Sequence, residues 1–82
     1  MIEKVAELLG VKLYEEFRIR PTEMGRSLGY KIIDKNKTFR FDTELVYKGH
    51  HNGWSEWYGS KDCGETLYRL LLGLYEIVKI EE

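Results

Sequence analysis

Residues 45–60 read Leu-Val-Tyr-Lys-Gly-His-His-Asn-Gly-Trp-Ser-Glu-Trp-Tyr-Gly-Ser, and their reading decides the fold. Two short β-like runs, Leu45 to Lys48 and Trp54 to Tyr58, flank an Asn52-Gly53 turn signal. They predict a hairpin connected by Gly49-His50-His51-Asn52-Gly53. Both tryptophans and both histidines of the chain lie in this stretch, so it is also the first place to look for function.

Working outward from the hairpin, Thr38 to Asp42 is a further β-like run. Phe39 and Phe41 face one way and Arg40 the other. Tyr30 to Asp34 reads as its partner, joined to it through Lys35-Asn36-Lys37, with Asn36 suited to a left-handed turn position. Glu15 to Arg20 alternates charged and apolar residues, the period of a half-buried strand. Phe17 and Ile19 then point inward, Glu16, Arg18 and Arg20 point outward, and Pro21 ends the strand.

Residues 21–28 show no periodicity and read as a loop carrying Arg26. Ile2, Val5, Ala6, Leu8 and Leu9 recur at helical spacing before Gly10, which predicts a short amphipathic helix over residues 2–9. Downstream, Asp62 and Glu65 have the spacing of a capping box and open a helix from about Cys63 to Leu72. Its buried stripe is Leu67, Leu70, Leu71 and Leu74, and Gly73 ends it before a last strand, Tyr75 to Ile80. The fold class is therefore α+β. A single domain over residues 1–82 holds a mostly antiparallel sheet of about four to six strands, with two short helices packed on one face.

Bulk composition narrows the function classes. The 82 residues are 43% hydrophobic and 33% charged, ordinary for a folded domain, and a chain this short has a small core that self-association would assist. Thirteen Lys and Arg against fourteen Asp and Glu give a net charge of −1. That balance lacks the basic footprint of direct nucleic-acid binding and the acidic excess of a DNA mimic. The single cysteine, Cys63, forms no intrachain disulfide and no multi-cysteine metal site, which fits a reducing cytoplasm. The charged N-terminal run fails as a signal peptide, and the apolar runs are too short to span a bilayer, so no membrane role is expected.

No catalytic set stands out. Adjacent His50 and His51 in a loop rarely share one metal ion, and no third ligand accompanies them. Cys63 near a helix N-terminus has the setting of an activated thiol but no oxyanion scaffold. The neighbouring carboxylates Glu15 and Glu16 point to opposite faces and cannot work as an acid and base pair. On a strand, Trp54 and Tyr58 share one face and Trp57 takes the other. One tryptophan is expected to anchor the core, with Trp54 the stronger candidate. The other then lies beside Arg18, Arg20, Arg40 or Lys48, where it can stack a ring while cations hold phosphate, or serve a protein interface.

The two ends of the chain resemble small, mostly uncharacterised proteins of phages and prophages of Gram-positive bacteria. At the start the resemblance rests on Val5, Leu8, Leu9, Gly10, Val11 and Glu15-Glu16-Phe17-Arg18-Ile19. At the end it rests on Leu67, Leu70, Leu71, Gly73 and Tyr75-Glu76-Ile77-Val78-Lys79, with Phe39-Arg40-Phe41, Leu45 and Trp54 as markers between. The segment from Pro21 to Thr38 is longer than in that group. The resemblance implies a viral accessory protein, working in the cytoplasm of an infected bacterial host as a stoichiometric inhibitor or sponge of host defence. No cofactor is expected. The candidate contact residues are Arg18, Arg20, Arg26, Arg40, Lys48, His50, His51, Trp54, Trp57 and Tyr58. The partner is a host immune protein or, alternatively, a nucleotide signalling molecule, with possible homo-oligomerisation. A small hydrolase using Cys63 or the histidines is the remaining alternative.

Overall fold

The computed structural model describes residues 2–33 and 36–80. Three helices, α1 (Ile2–Leu8), α2 (Glu23–Ser27) and α3 (Lys61–Leu71), accompany five strands. The strands are β1 (Phe17–Pro21), β2 (Phe39–Phe41), β3 (Leu45–His51), β4 (Trp54–Tyr58) and β5 (Tyr75–Lys79). They form one antiparallel sheet in the order β4-β3-β2-β1-β5, an α+β fold as the alternation patterns predict.

The registers sort the side chains onto two faces. Phe17 stands opposite Phe39, Phe39 opposite Tyr47, Phe41 opposite Leu45 and Ile19 opposite Ile77, so the large apolar residues share one face. Phe17, Phe39 and Phe41 are fully buried there, with ring centroids 5.6 and 6.4 Å from Phe17 to its two neighbours. Ala6 of α1 and Cys63 and Leu70 of α3 close the core over them. A buried phenylalanine contributes about 1.5–3 kcal/mol by area alone, so this triad is the main anchor of a small core.

Several local readings are corrected. The segment after Pro21 contains a helix, not only a loop. Thr22 Oγ1 accepts from the Gly25 amide at 3.1 Å and donates to the Gly73 carbonyl at 2.7 Å, capping α2 while tying it to the end of α3. Gly25 is buried against the Leu74 carbonyl so closely that a Cβ would collide with it. Pro21 does not end β1 by exclusion but is its last paired residue, opposite Tyr75. Tyr30 to Ile33 is not a strand. Its chain is held by Tyr30 N donating to Gly25 O and by Tyr75 Oη donating to Lys31 O, which leaves it covering the sheet instead of pairing in it. Asp34 and Lys35, the rest of that expected hairpin, lie outside the described residues.

The β3–β4 connection is shorter than predicted. Pairing runs through His51 opposite Trp54, and Asn52 and Gly53, at φ 45° and 90°, make a two-residue turn of the kind that matches hairpin twist. Gly49 stays in the strand because the Tyr58 ring lies over it, where its own side chain would be. Helix α3 begins at Ser60, whose Oγ accepts from the Cys63 amide at 3.2 Å, so Asp62 is a first-turn residue and not the cap. Its buried positions are Cys63, Thr66 and Leu70, and Leu71 is 55% exposed, outside the stripe expected for it.

Candidate functional site

Helices α1 and α3 lie on the phenylalanine face, which leaves the opposite face of the sheet uncovered. Alternation places Arg18 and Arg20 of β1, Arg40 of β2, Val46, Lys48 and His50 of β3, Ser55 and Trp57 of β4, and Glu76 and Val78 of β5 on that open face.

At its centre stands Arg40. Its guanidinium carbon lies 4.2 Å from the Trp57 ring centre and 5.3 Å from that of Tyr14, and Nη2 is 3.6 Å from Asp42 Oδ2. Its Nε is buried without a hydrogen-bond partner. Arg40 stands opposite Val46 across the strands, and Val46 is buried despite its place on the open face. The stem of a long cation covers such an apolar spot while its head stays at the surface. Tyr14 reaches the cluster from the α1–β1 connection with φ 63°, a left-handed conformation costly for a bulky residue, and its amide is fixed to Phe41 O at 2.9 Å.

Lys48 Nζ sits 5.6 Å from the same Trp57 ring and 3.5 Å from Glu16. Arg20 donates from Nε to Glu76 at 2.7 Å. Arg18, exposed, has no ion-pair or hydrogen-bond partner among the described residues. With Arg20, Ile19, Ile32 and Val78 it lines an apolar crevice of about 250 Å³.

The predicted contact residues therefore divide. Arg18, Arg20, Arg40, Lys48, His50 and Trp57 share the open face. His51, Trp54 and Tyr58 fall on the other face of the hairpin, the one that carries Tyr47. Trp54 is 59% exposed there, which overturns its assignment as core anchor; the phenylalanines fill that role and neither tryptophan is fully buried. Tyr58 packs on Tyr47 and His51 and donates to Glu56 Oε2 at 2.9 Å, which holds the phenol above the usual tyrosine range. Arg26 serves the fold, donating from Nη1 to Pro21 O at 2.9 Å. Tyr14, Ile32 and Val78 belong to the open face and were not singled out from sequence. No periodic signal marks Tyr14, whose placement depends on a turn.

For the hydrolase alternative, His50 Nδ1 and Ser55 Oγ are 3.0 Å apart, but both are exposed and no carboxylate hydrogen-bonds to His50 among the described residues. Cys63 is buried beneath α3, 3.5 Å from Ser60 Oγ. Among the described residues no three His, Cys, Asp or Glu side chains are grouped to hold a metal ion, and no helix is long and apolar enough to cross a membrane.

The fold and site define an α+β domain with one closed sheet face and one open cationic-aromatic face. No family model, curated protein or solved structure matches the chain.

Proposed function

We propose that this protein is a non-enzymatic accessory protein that binds a protein component stoichiometrically through the open face of its sheet. The resemblance to phage and prophage proteins supports a host immune component as the target. The geometry supports the mode of binding, and the observation that carries it is Arg40 held between Tyr14 and Trp57. Arg, Trp and Tyr dominate interface hot spots, and side chains already stacked on one another lose little freedom on docking. The unpartnered Arg18 and the Ile32–Val78 crevice beside it add a charge and an apolar seat at the margin.

A nucleotide sponge draws on the same residues, but the arrangement favours a protein. The Trp57 ring already has two cations of its own chain over it, and Lys48 and Arg20 are held by Glu16 and Glu76. A base would have to displace the first set and a phosphate the second.

Affinity capture from host lysate with the wild type, Trp57→Ala and Arg18→Glu, each checked for folding by circular dichroism, tests the reading. A host polypeptide retained at fixed stoichiometry by the wild type and lost from both folded variants is the expected result. Capture indifferent to both substitutions overturns the assigned face. Native mass spectrometry against a panel of signalling nucleotides decides for the sponge if one nucleotide is retained instead.

A further inference from the structure

The β1 sequence Phe-Arg-Ile-Arg-Pro alternates buried and exposed positions, which puts Arg18 and Arg20 on the open face, about 7 Å apart at the usual rise per residue. Among the described residues β1 pairs with β2 only where Phe17 meets Phe39, so from Arg18 onward its edge away from β5 has no strand beside it. Along this stretch lies the crevice of about 250 Å³. It is flanked by the two arginines, with Val78 across on β5 and Ile32 from the segment after α2. Ile32 is 66% exposed, and the lining residues other than the arginines are aliphatic.

The rim is cationic, and only part of its charge is engaged. Arg20 holds Glu76 through Nε at 2.7 Å, and its two terminal nitrogens have no partner among the described residues. Arg18 makes neither an ion pair nor a ring contact among the described residues, whereas Arg40 and Lys48 each make both. Two guanidiniums against one carboxylate leave this part of the face positive, on a chain whose net charge is −1.

We infer, resting on the open-face reading above, that the crevice takes an aliphatic side chain of the protein partner that stands beside carboxylates, so that the partner's contact segment is acidic. Guanidiniums meet carboxylates as forked pairs, and Arg18 and the free end of Arg20 each have a fork to offer. An aliphatic group seated in the crevice leaves water for a floor of Ile19, Ile32 and Val78. A basic segment is repelled by the rim, and a bare phosphate leaves the aliphatic floor uncovered. The crevice is smaller than the roughly 300–1,000 Å³ that encloses a small-molecule ligand, a size that suits one side chain of a larger partner.

The probe is an acetylated and amidated tripeptide of glutamate, leucine and glutamate, titrated into the isotope-labelled full chain and followed by NMR. Saturable shifts of the Arg18, Arg20, Ile32 and Val78 amides in the millimolar range are the expected result. Lysine in place of both glutamates, or serine in place of leucine, is expected to leave these amides unmoved. Arg18→Gln, at an exposed position, should weaken binding by about two- to fivefold, the scale of an exposed ion pair, and added salt should weaken it in the wild type. Ile32→Ser should weaken it without salt dependence of the loss. No shift at these amides, or equal shifts with the lysine peptide, overturns the inference. Octanoate moving them where the peptide does not overturns it in favour of a lipid-like carboxylate. Host capture lost from Trp57→Ala while the peptide leaves the crevice unmoved overturns the crevice chemistry alone. Capture indifferent to Trp57→Ala while the peptide moves these amides overturns the open-face reading and upholds the acidic site.

Discussion

The two faces of the sheet are built from alternate residues of the same five strands, yet they hold together by different means. On the helix side, Phe17, Phe39 and Phe41 exclude water completely and stabilise through area removed from solvent. On the open side, Arg40, Lys48, Trp57 and Tyr14 cover one another with cations over rings and leave their outer surfaces wet. One face keeps the chain folded, and the other remains available because its order does not depend on a covering layer.

The sharpest way to break this comparison is to truncate one residue on each side. Phe17→Ala removes a fully buried ring and leaves a cavity, which typically costs about 3–5 kcal/mol. Since small domains have about 5–15 kcal/mol in total, urea denaturation should show the variant close to its unfolding threshold. Arg40→Ala on the open face should cost only about 1 kcal/mol, the scale of a partly exposed cation over an aromatic ring. A double-mutant cycle with Trp57→Ala isolates the pairwise part. Coupling near zero would show that the stacking orders nothing, and would remove the basis for the open-face reading.

The smallest expected effect lies on the face of the β3–β4 hairpin that carries Glu56 and Tyr58, opposite the cation cluster around Trp57. Tyr58 donates to the Glu56 carboxylate, which raises its pKa above the ordinary 10.0 because the phenolate would face a negative charge. A pKa raised by folding gives stability that is present below the ordinary value and is lost as pH rises through the folded one. Spectrophotometric titration should therefore find one tyrosine ionising late, and Tyr58→Phe should abolish that late step. Glu56→Gln should return it to the normal range. No difference between the three titrations would mean that the hydrogen bond is not formed in solution.

Much of this contrast was legible in the sequence, because alternation is a local property. Phe17 and Ile19 against Arg18 and Arg20, and Phe39 and Phe41 against Arg40, assign both faces before any strand is paired. What failed were decisions that depend on partners distant in sequence. Tyr30 to Ile33 has strand composition, but its polar groups are engaged by Gly25 and Tyr75. Helix α2 has five residues, too few to show a period, and exists because Thr22 bridges it to Gly73. In α3 the buried Leu70 is followed directly by the exposed Leu71 and Leu72, so leucine content alone does not separate the inward positions from the outward ones. For the candidate site, the cations were found and Tyr14 was not, since a turn sets its direction.

The registers of β1 carry a consequence for how the sheet comes together. It pairs with β5 over five positions, Phe17 to Pro21, while its register with β2 is at Phe17 and Phe39. The sheet is thus two pieces meeting at a narrow seam: a meander of residues 39–58 whose strands are close in sequence, and a clasp that joins residues 17–21 to residues 75–79. Closing the clasp requires a long loop, so the meander is expected to form first and the clasp last. In native-state hydrogen exchange the amides of β1 and β5 should then open as one unit, separately from those of β2 and β3. The open face crosses that seam, with Arg18 on the clasp and Arg40, Lys48 and Trp57 on the meander, so anything bound across it would fasten the two halves together.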